Sequence, residues 1–186
     1  MRAMVLILAV GLAGCGYNDM VTLREDIDSA WGQVDKELQR RSDLVPNLMS
    51  VTRGYATHEQ QVFQAVADAR ARLLASESRT DRIDAATAMS SALGRLLALA
   101  ESYPTLKADA QFQRLLKELA DIEDRIAVER TRYNDAVRAY NSFVQGFPRM
   151  IYASALGFTP QRYFEASAAA RATPRVDLPG TGTAIR

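Results

Sequence analysis

The stretch DAQFQRLLKELADIEDRIAVERTRYNDAVRAYNSFVQG, residues 109–146, decides the fold. Large apolar side chains recur in it every three or four positions, and Glu129 alone interrupts them. The stripe consists of Phe112, Leu115 or Leu116, Leu119, Ile122, Ile126, Glu129, Tyr133, Val137, Tyr140 and Val144. The average step is close to seven residues per two turns, which is typical of antiparallel helical bundles. The stretch therefore predicts one long helix that begins near Asp109 and ends at Gly146.

The same periodicity extends upstream from Met20, where glycines are few, and it predicts three more helices. Proline deletes a backbone donor and clashes with the preceding turn. In the first of these helices we therefore expect Pro46 to produce a kink near Leu44, or a break in which Asp43 caps a restart. The stripe of this helix is Ile27, Trp31, Val34, Leu38, Val45, Leu48 and Val51 or Thr52.

The second and third predicted helices are shorter. Thr57 and Gln60 form a capping box, which predicts that the second helix starts after Thr57. The third should run from about Asp81 and stop before Pro104. Their stripes are Phe63, Val66, Arg70 and Leu73 in one, and Ile83, Met89, Leu93, Leu96, Leu97 and Ala100 in the other. The predicted fold class is all-α, an antiparallel four-helix bundle with long first and last helices.

Both ends of the chain differ in composition from the bundle. Residues 150–158 predict a short helix that caps the end of the bundle, and Tyr163 and Phe164 predict a further apolar plug. Residues 166–186 are rich in Ala, Thr, Pro and Gly, so we expect a disordered tail. The predicted bundle domain therefore covers residues 15–165.

Residues 1–14 have the order of a signal peptide, with Arg2, then an apolar run over residues 4–10, then small residues. This run is shorter than the ~20 residues that cross a bilayer as a helix. The tetrad at residues 12–15 resembles a bacterial lipobox, which implies cleavage after Gly14 and acylation of Cys15, the single cysteine. The alternative is a short anchor that stays uncleaved. Two or three acyl chains would hold the protein on a membrane.

The expected location follows from this anchor. A lipid-anchored chain of this kind lies in the cell envelope, outside the cytoplasm. Gly16 follows the cysteine where an aspartate would signal retention, and this resembles a lipoprotein sorted to the periplasmic face of the outer membrane in a diderm bacterium. The formal net charge is +1 with acids and bases interspersed, so nucleic acid is not an expected partner.

Two charged residues interrupt the apolar stripes of the first and last helices, which should run antiparallel with Trp31 near Val137. The two interruptions should then lie at similar positions along the bundle axis. We expect an ion pair across this seam that fixes the register, and the alternative is that each side chain reaches water separately. The residues concerned are Arg41, alone or together with Arg40, against Glu129 or Glu123.

Several motifs along the chain occur in the order of a known family. They are the segments 40–48, 53–59 and 69–70, then 101–108, 118–119, Glu123, 126–127 and 133–141. Together they resemble the bacterial LemA family, and the resemblance covers about residues 17–164. It implies an extracytoplasmic, membrane-associated helical bundle. Most members resemble single-span proteins, whereas this chain has the lipobox.

The residues offer little for catalysis. His58 is the only histidine, and a Cys–His dyad fails if Cys15 is acylated. A di-metal bundle needs Glu-x-x-His steps on two helices, and no glutamate precedes His58 by three residues. A carboxylate cluster of Glu101, Glu118, Glu123 and Glu129 is better explained by salt bridges to nearby bases. We therefore predict no catalytic residue, metal, cofactor or small-molecule substrate.

Polar residues inside the helices are the remaining candidates for a binding surface. Asn134 and Asn141 fall on one helical flank, and asparagine is a poor residue inside a helix unless its amide is used. They bond either to a neighbouring helix, for example to carbonyls near Pro46 or Pro104, or to a partner. The other candidates, expected at related ends of the bundle, are Arg40, Asp43, Asn47, Glu101, Tyr103 and Lys107.

These expectations together favour a membrane-tethered, non-enzymatic domain that acts as a binding scaffold or adaptor for an envelope protein. The alternative is a sensor module in which envelope stress or a ligand changes the packing of the helices.

Overall fold

The computed structural model describes residues 2–165, with side chains from Gly16 onward. Over that range the protein is all-α and has no strand, as the sequence predicts. Its elements are α1 (Arg2–Arg53), α2 (Gln60–Ala75), α3 (Arg79–Ala100), α4 (Pro104–Lys107), α5 (Ala110–Gln145) and two 3-10 turns (Arg149–Ile151 and Ser154–Leu156).

The four main helices form the predicted bundle. The long helices α1 and α5 pack along each other, and α2 packs on α3. The stripe of α5 is the core of this arrangement, because Phe112, Ile126, Tyr133 and Val137 are all buried. Each large apolar side chain removed from water contributes about 1.5–3 kcal/mol. The fold class predicted from the periodicity is therefore confirmed.

Pro46 does not break the first helix, so the restart capped by Asp43 is wrong. Because proline has no N–H, the carbonyl of Ser42 one turn earlier loses its helical donor. Arg70 of α2 replaces that donor, with its Nε 2.9 Å from the Ser42 oxygen. The neighbours Val45 and Leu48 are buried and hold this part of α1 against the core. Tertiary contacts thus compensate for the proline.

The predicted start of α2 is also wrong. The helix begins at Gln60 after Glu59, and Thr57 does not cap it. Residues 52–56 form a turn in which the amides of Tyr55 and Ala56 both bond the carbonyl of Thr52. Ala56 is buried and fixes this turn against the core. The turn therefore delays the helix by two residues.

Side-chain caps define the starts of α3 and α5. The Ser78 side chain accepts a hydrogen bond from the amide of Asp81, so α3 begins at Arg79, two residues before the predicted start. Asp109 accepts from the amides of Gln111 and Phe112, each at 2.8 Å, and so caps α5, which begins where the sequence predicts. These caps satisfy amides that have no partner within their helices.

The C-terminal cap consists of the two 3-10 turns rather than one short helix. Pro148 precedes the first turn, and Gly157, with φ 82°, ends the second. A positive φ is accessible to glycine at little cost, so the chain reverses here. Residues 158–165 then run without regular secondary structure back along α5. Phe164 is buried as the predicted apolar plug, whereas Tyr163 is exposed.

Among the described residues, only α3 has the length and apolar composition of a membrane span. Its apolar side chains, including Met89, Leu93 and Leu96, are buried inside the bundle. This is the pattern of a core helix. The tail predicted for residues 166–186 lies outside the described residues.

Candidate functional site

Arg41 is the most deeply buried charged residue among those that the structure describes. Its side chain is 1% exposed, and its Nη1 lies 2.8 Å from Glu123 Oε1 on α5. The same nitrogen donates to Ser90 Oγ at 2.9 Å, and Nη2 donates to the carbonyl of Ala86 at 3.0 Å. One guanidinium therefore joins α1 to both α3 and α5. Of the two partners predicted for Arg41, Glu123 is the one in contact.

The register between α1 and α5 differs from the predicted one. Trp31 packs edge-on against Tyr133, with ring centroids 5.4 Å apart. Tyr133 lies about one helical turn before Val137, which was the expected neighbour of Trp31. This shift accounts for the contact of Arg41 with Glu123.

Glu129 and Arg40 do not take part in that seam, contrary to the expectation. Glu129 pairs with Arg132 at 2.8 Å, and Arg40 pairs with Glu37 at 3.2 Å. Each pair lies on one helix at a spacing of three residues. The helices satisfy these charges locally, so among the side chains that the structure describes Arg41–Glu123 is the ion pair between α1 and α5.

Arg130 lies beside the Arg41–Glu123 pair in a small cleft that Phe164 and Glu165 also line. The Arg130 guanidinium stacks over the Phe164 ring at 4.4 Å. Burial lowers the pKa of Arg130, and the nearby Arg41 charge lowers it further, whereas Glu123 opposes both effects. Arg41 therefore binds Glu123 directly, while Arg130 interacts with the same carboxylate through its charge.

Asn134 and Asn141 hold that C-terminal segment by its backbone. Asn141 donates to the carbonyl of Gln161 at 2.8 Å and accepts from the amide of the same residue at 2.7 Å. Asn134 makes the same two bonds to Phe164, at 3.0 and 2.8 Å. Each carboxamide therefore bonds both backbone groups of one residue. The predicted carbonyls near Pro46 and Pro104 are not their partners.

Two further contacts fix residues 161–165 on the bundle. The Tyr133 hydroxyl donates to the carbonyl of Arg162 at 2.7 Å. The Arg162 guanidinium makes a two-point ion pair with Asp84 of α3, at 2.7 and 3.1 Å. A hydrogen bond from Arg162 lowers the pKa of the Asp84 carboxyl. The flank of α5 that was a candidate for a partner is thus occupied by the chain itself.

The sequence reasoning did not identify Asp84 and Arg162 as a pair. Opposite charge is the one feature of the sequence that suggests this pairing, and the two residues lie far apart in the chain. Tyr133 carried a clearer signal, because it directly precedes Asn134 as Tyr140 precedes Asn141. The repeated Tyr-Asn pair places a hydroxyl and an amide on adjacent faces of α5.

The remaining candidates divide into two separate sets. Arg40, Asp43 and Asn47 line an open groove between α1 and α5, together with Glu118 and the apolar side chains of Leu44 and Ile122. We call this the α1–α5 groove. Asp43 accepts a hydrogen bond from Gln39 at 2.9 Å, and Asn47 is exposed.

The second set lies in the connections around α4. Lys107 pairs with Glu101 at 2.5 Å, and the Tyr103 hydroxyl lies 3.4 Å from Glu59 Oε1. Tyr55 donates to Asp109 at 2.9 Å, which helps to lower the pKa of that carboxyl below its usual value. Glu101, Tyr103 and Lys107 therefore make their own contacts and do not join the α1–α5 groove.

At the other end of the bundle, the first described side chains are packed. Gly16 is buried, and a Cβ at this position would lie 2.8 Å from the Tyr152 hydroxyl. Tyr17 packs edge-on against Phe158, with centroids 5.5 Å apart. The side chain of Cys15 lies outside the described side chains. The next residue, Gly16, is nevertheless part of the folded domain.

Among residues 16–165, no group of three or more His, Cys, Asp or Glu side chains is placed to hold a metal ion. His58, the only histidine, is exposed in the turn before α2.

The fold and its polar contacts define a helical bundle with a long α1–α5 seam, and its sequence identifies the class. Residues 30–178 match the model of the LemA family, which is most of the chain, so the protein belongs to the LemA family.

Particular relatives are magnetosome proteins. MamQ 1 and MamQ 2 of Paramagnetospirillum magneticum are each 28% identical to the chain over 175 residues. MamQ of Magnetospirillum gryphiswaldense is 28% identical over 174 residues. In each case the match covers 80% of this chain and 64% of the relative, so the chain spans less than two thirds of their length.

Proposed function

We infer that the protein is a membrane-anchored scaffold or adaptor of the cell envelope, which acts by binding a partner protein and not by catalysis. The observation that carries this proposal is the packing of residues 16 and 17 into the end of the bundle. An acyl group on Cys15 would then be joined to a folded domain with almost no linker. The LemA family membership supports the same placement outside the cytoplasm, on the periplasmic face of a membrane.

The geometry of the anchor sets the reach of the domain. Helix α1 continues from residue 16 to Arg53, a length of about 55 Å at 1.5 Å per residue. Anchored at residue 15, the bundle extends away from the membrane as a pillar if it stands upright. The α1–α5 groove lies along this pillar.

The groove is suited to a polypeptide partner. Arg40, Asp43 and Glu118 give it charges of both signs and Asn47 adds an exposed carboxamide, whereas Leu44 and Ile122 beneath them are buried. A charged, polar groove of this kind selects its partner by charge complementarity. Since the Asn134–Asn141 flank is occupied by the chain itself, we assign partner binding to the α1–α5 groove.

The anchor is tested by labelling cells with a fatty-acid probe. We expect the wild-type chain to incorporate the probe and the Cys15→Ser variant to remain unlabelled. Labelling that persists in the Cys15→Ser variant would contradict acylation at this residue.

The adaptor role is tested by photo-crosslinking in cells. A photoreactive residue in place of exposed Asn47 should give a discrete crosslinked protein, whereas the same residue at Val128 should not. Val128 is a suitable control because it is 51% exposed and lies on α5 outside the groove. Identical products from both positions would contradict a specific partner.

A sensor is the second candidate function, and the connection made by Arg41 favours it. Glu123 is 41% exposed while its partner Arg41 is buried, so a ligand at Glu123 has a direct route to α1 and α3. If Asn47 captures no partner and hydrogen exchange near Ala86 and Ser90 increases under envelope stress, the sensor would replace the adaptor.

A further inference from the structure

The end of the bundle next to residue 16 carries an exposed apolar surface. Phe147, Met150, Ile151 and Leu156 are 80%, 59%, 71% and 49% exposed. They lie within one short segment: Phe147 precedes the first 3-10 turn, Met150 and Ile151 lie in it, and Leu156 lies in the second turn. Single exposed apolar residues are ordinary, but a group of large ones marks a surface that meets another apolar phase. We call these four side chains the apolar rim.

The position of the rim indicates which phase it meets. Tyr152, between Ile151 and Leu156, contacts Gly16, and Phe158 packs on Tyr17. The rim is therefore built around the point where α1 enters the bundle. The apolar run at residues 4–10 lies only a few residues upstream. Both modes of anchoring, acylated Cys15 and an uncleaved apolar segment, place this point at the surface of a membrane.

The charge of the rim fits the same environment. Arg149 is the only charged residue between positions 145 and 158. Its guanidinium stacks over the Phe143 ring at 3.8 Å, and its Nε donates to the Phe143 carbonyl at 2.9 Å. No carboxylate in this segment would have to be desolvated. Tyr17 and Tyr152 stand beside the rim, and tyrosine is enriched where protein meets the lipid headgroups.

We propose that the apolar rim inserts into the interfacial region of the lipid bilayer, so that the bundle docks on the membrane by its protein surface as well as by its N-terminus. This proposal rests on the membrane anchoring in the proposed function and adds a second contact. Two contacts restrict tilting of the bundle, which holds the α1–α5 groove at a defined height. A single flexible attachment at the N-terminus would leave the bundle free to tilt.

The test uses the full chain with Cys15→Ser, mixed with phosphatidylcholine vesicles that contain nitroxide-labelled lipids. Ile151→Cys is labelled with an environment-sensitive fluorophore, and Val128→Cys carries the same label as the matched control. Both native residues are exposed and aliphatic, so neither substitution disturbs the core. Equal melting temperatures confirm that both variants are folded. Co-sedimentation with the vesicles is measured in parallel.

We expect the label at Ile151 to shift to the blue and to lose most of its emission to the nitroxide lipids, while the label at Val128 shows neither effect. If the protein co-sediments but both labels behave alike, the rim proposal is overturned and the anchoring stands. Absence of co-sedimentation overturns the rim proposal alone, because Cys15→Ser removes the acyl anchor, which the fatty-acid probe tests separately. A blue shift that depends on protein concentration but not on nitroxide lipids assigns the rim to a second copy of the chain, and this also overturns the proposal.

Discussion

The middle of the bundle and its end next to residue 16 invert the usual distribution of residues in opposite ways. In the middle, Arg41 is almost completely buried, and at the end Phe147 and Ile151 are exposed. The buried charge is satisfied inside the molecule by Glu123, Ser90 and Ala86. The exposed apolar groups have no such compensation within the described residues. The first region therefore serves the fold, whereas the second points to something outside it.

The largest effect is expected where the internal contacts are removed. Arg41→Ala should lower the free energy of unfolding by about 3 kcal/mol, because the carbonyl of Ala86 loses a donor and a cavity forms. This value is at the lower end for a broken buried pair, since Glu123 is partly solvated. Urea denaturation of the purified protein measures it.

Arg138→Ala on α5 is the control and should change stability by less than about 0.5 kcal/mol. Its side chain is 67% exposed and pairs with Asp135, itself 58% exposed, on the same helix. Equal losses in the two variants would remove the distinction between Arg41 and an ordinary surface arginine.

A smaller effect is expected at the C-terminal segment, which lies between the two regions. Asn141→Ala should cost about 2 kcal/mol, because the amide and carbonyl of Gln161 each lose their partner. Hydrogen exchange at Gln161 and Phe164 should become faster at the same time. Asn47→Ala, which changes an exposed asparagine in α1, should affect neither measurement. Unchanged exchange at Gln161 would show that other contacts hold the segment.

The smallest effect is expected at the apolar rim. Phe147→Ala should change the free energy of unfolding in detergent-free buffer by less than about 0.5 kcal/mol, because the ring packs on little in the bundle. Phe112→Ala, at a phenylalanine that is 1% exposed, should cost about 3–5 kcal/mol by the same measurement. A large loss of unfolding free energy in Phe147→Ala would mean that the rim belongs to the core. The contrast between an internally satisfied middle and an exposed apolar end would then not hold.

The local features of the fold were accessible from the sequence. The stripe of α5 and the start of this helix near Asp109 were predicted correctly, since both depend on residues within a few positions of each other. The break at Pro46 and the start of α2 were not, because Arg70 and Ala56 override the local preference from other parts of the structure. Propensity at a single residue is weak against such contacts.

In the candidate site, too, local features were predictable from the sequence and the choice of distant partners was not. That Arg41 would meet a glutamate of the last helix was predictable from two interrupted stripes, but the choice of Glu123 depended on a shift of one turn in the α1–α5 register. That Asn134 and Asn141 would use their amides was also predictable. Their partners were not, since a carboxamide can bond any backbone group that the fold brings near.

The sequence by itself therefore determined which segments are helices, which faces are apolar and which polar residues must be satisfied. Only the tertiary structure decided that Arg41 pairs with Glu123, that the chain occupies its own asparagine flank and that the apolar rim surrounds residue 16. The physical reason is that helical periodicity is a local property of the backbone. Register and partner choice depend on how distant side chains fill shared space, and many pairings satisfy the same pattern.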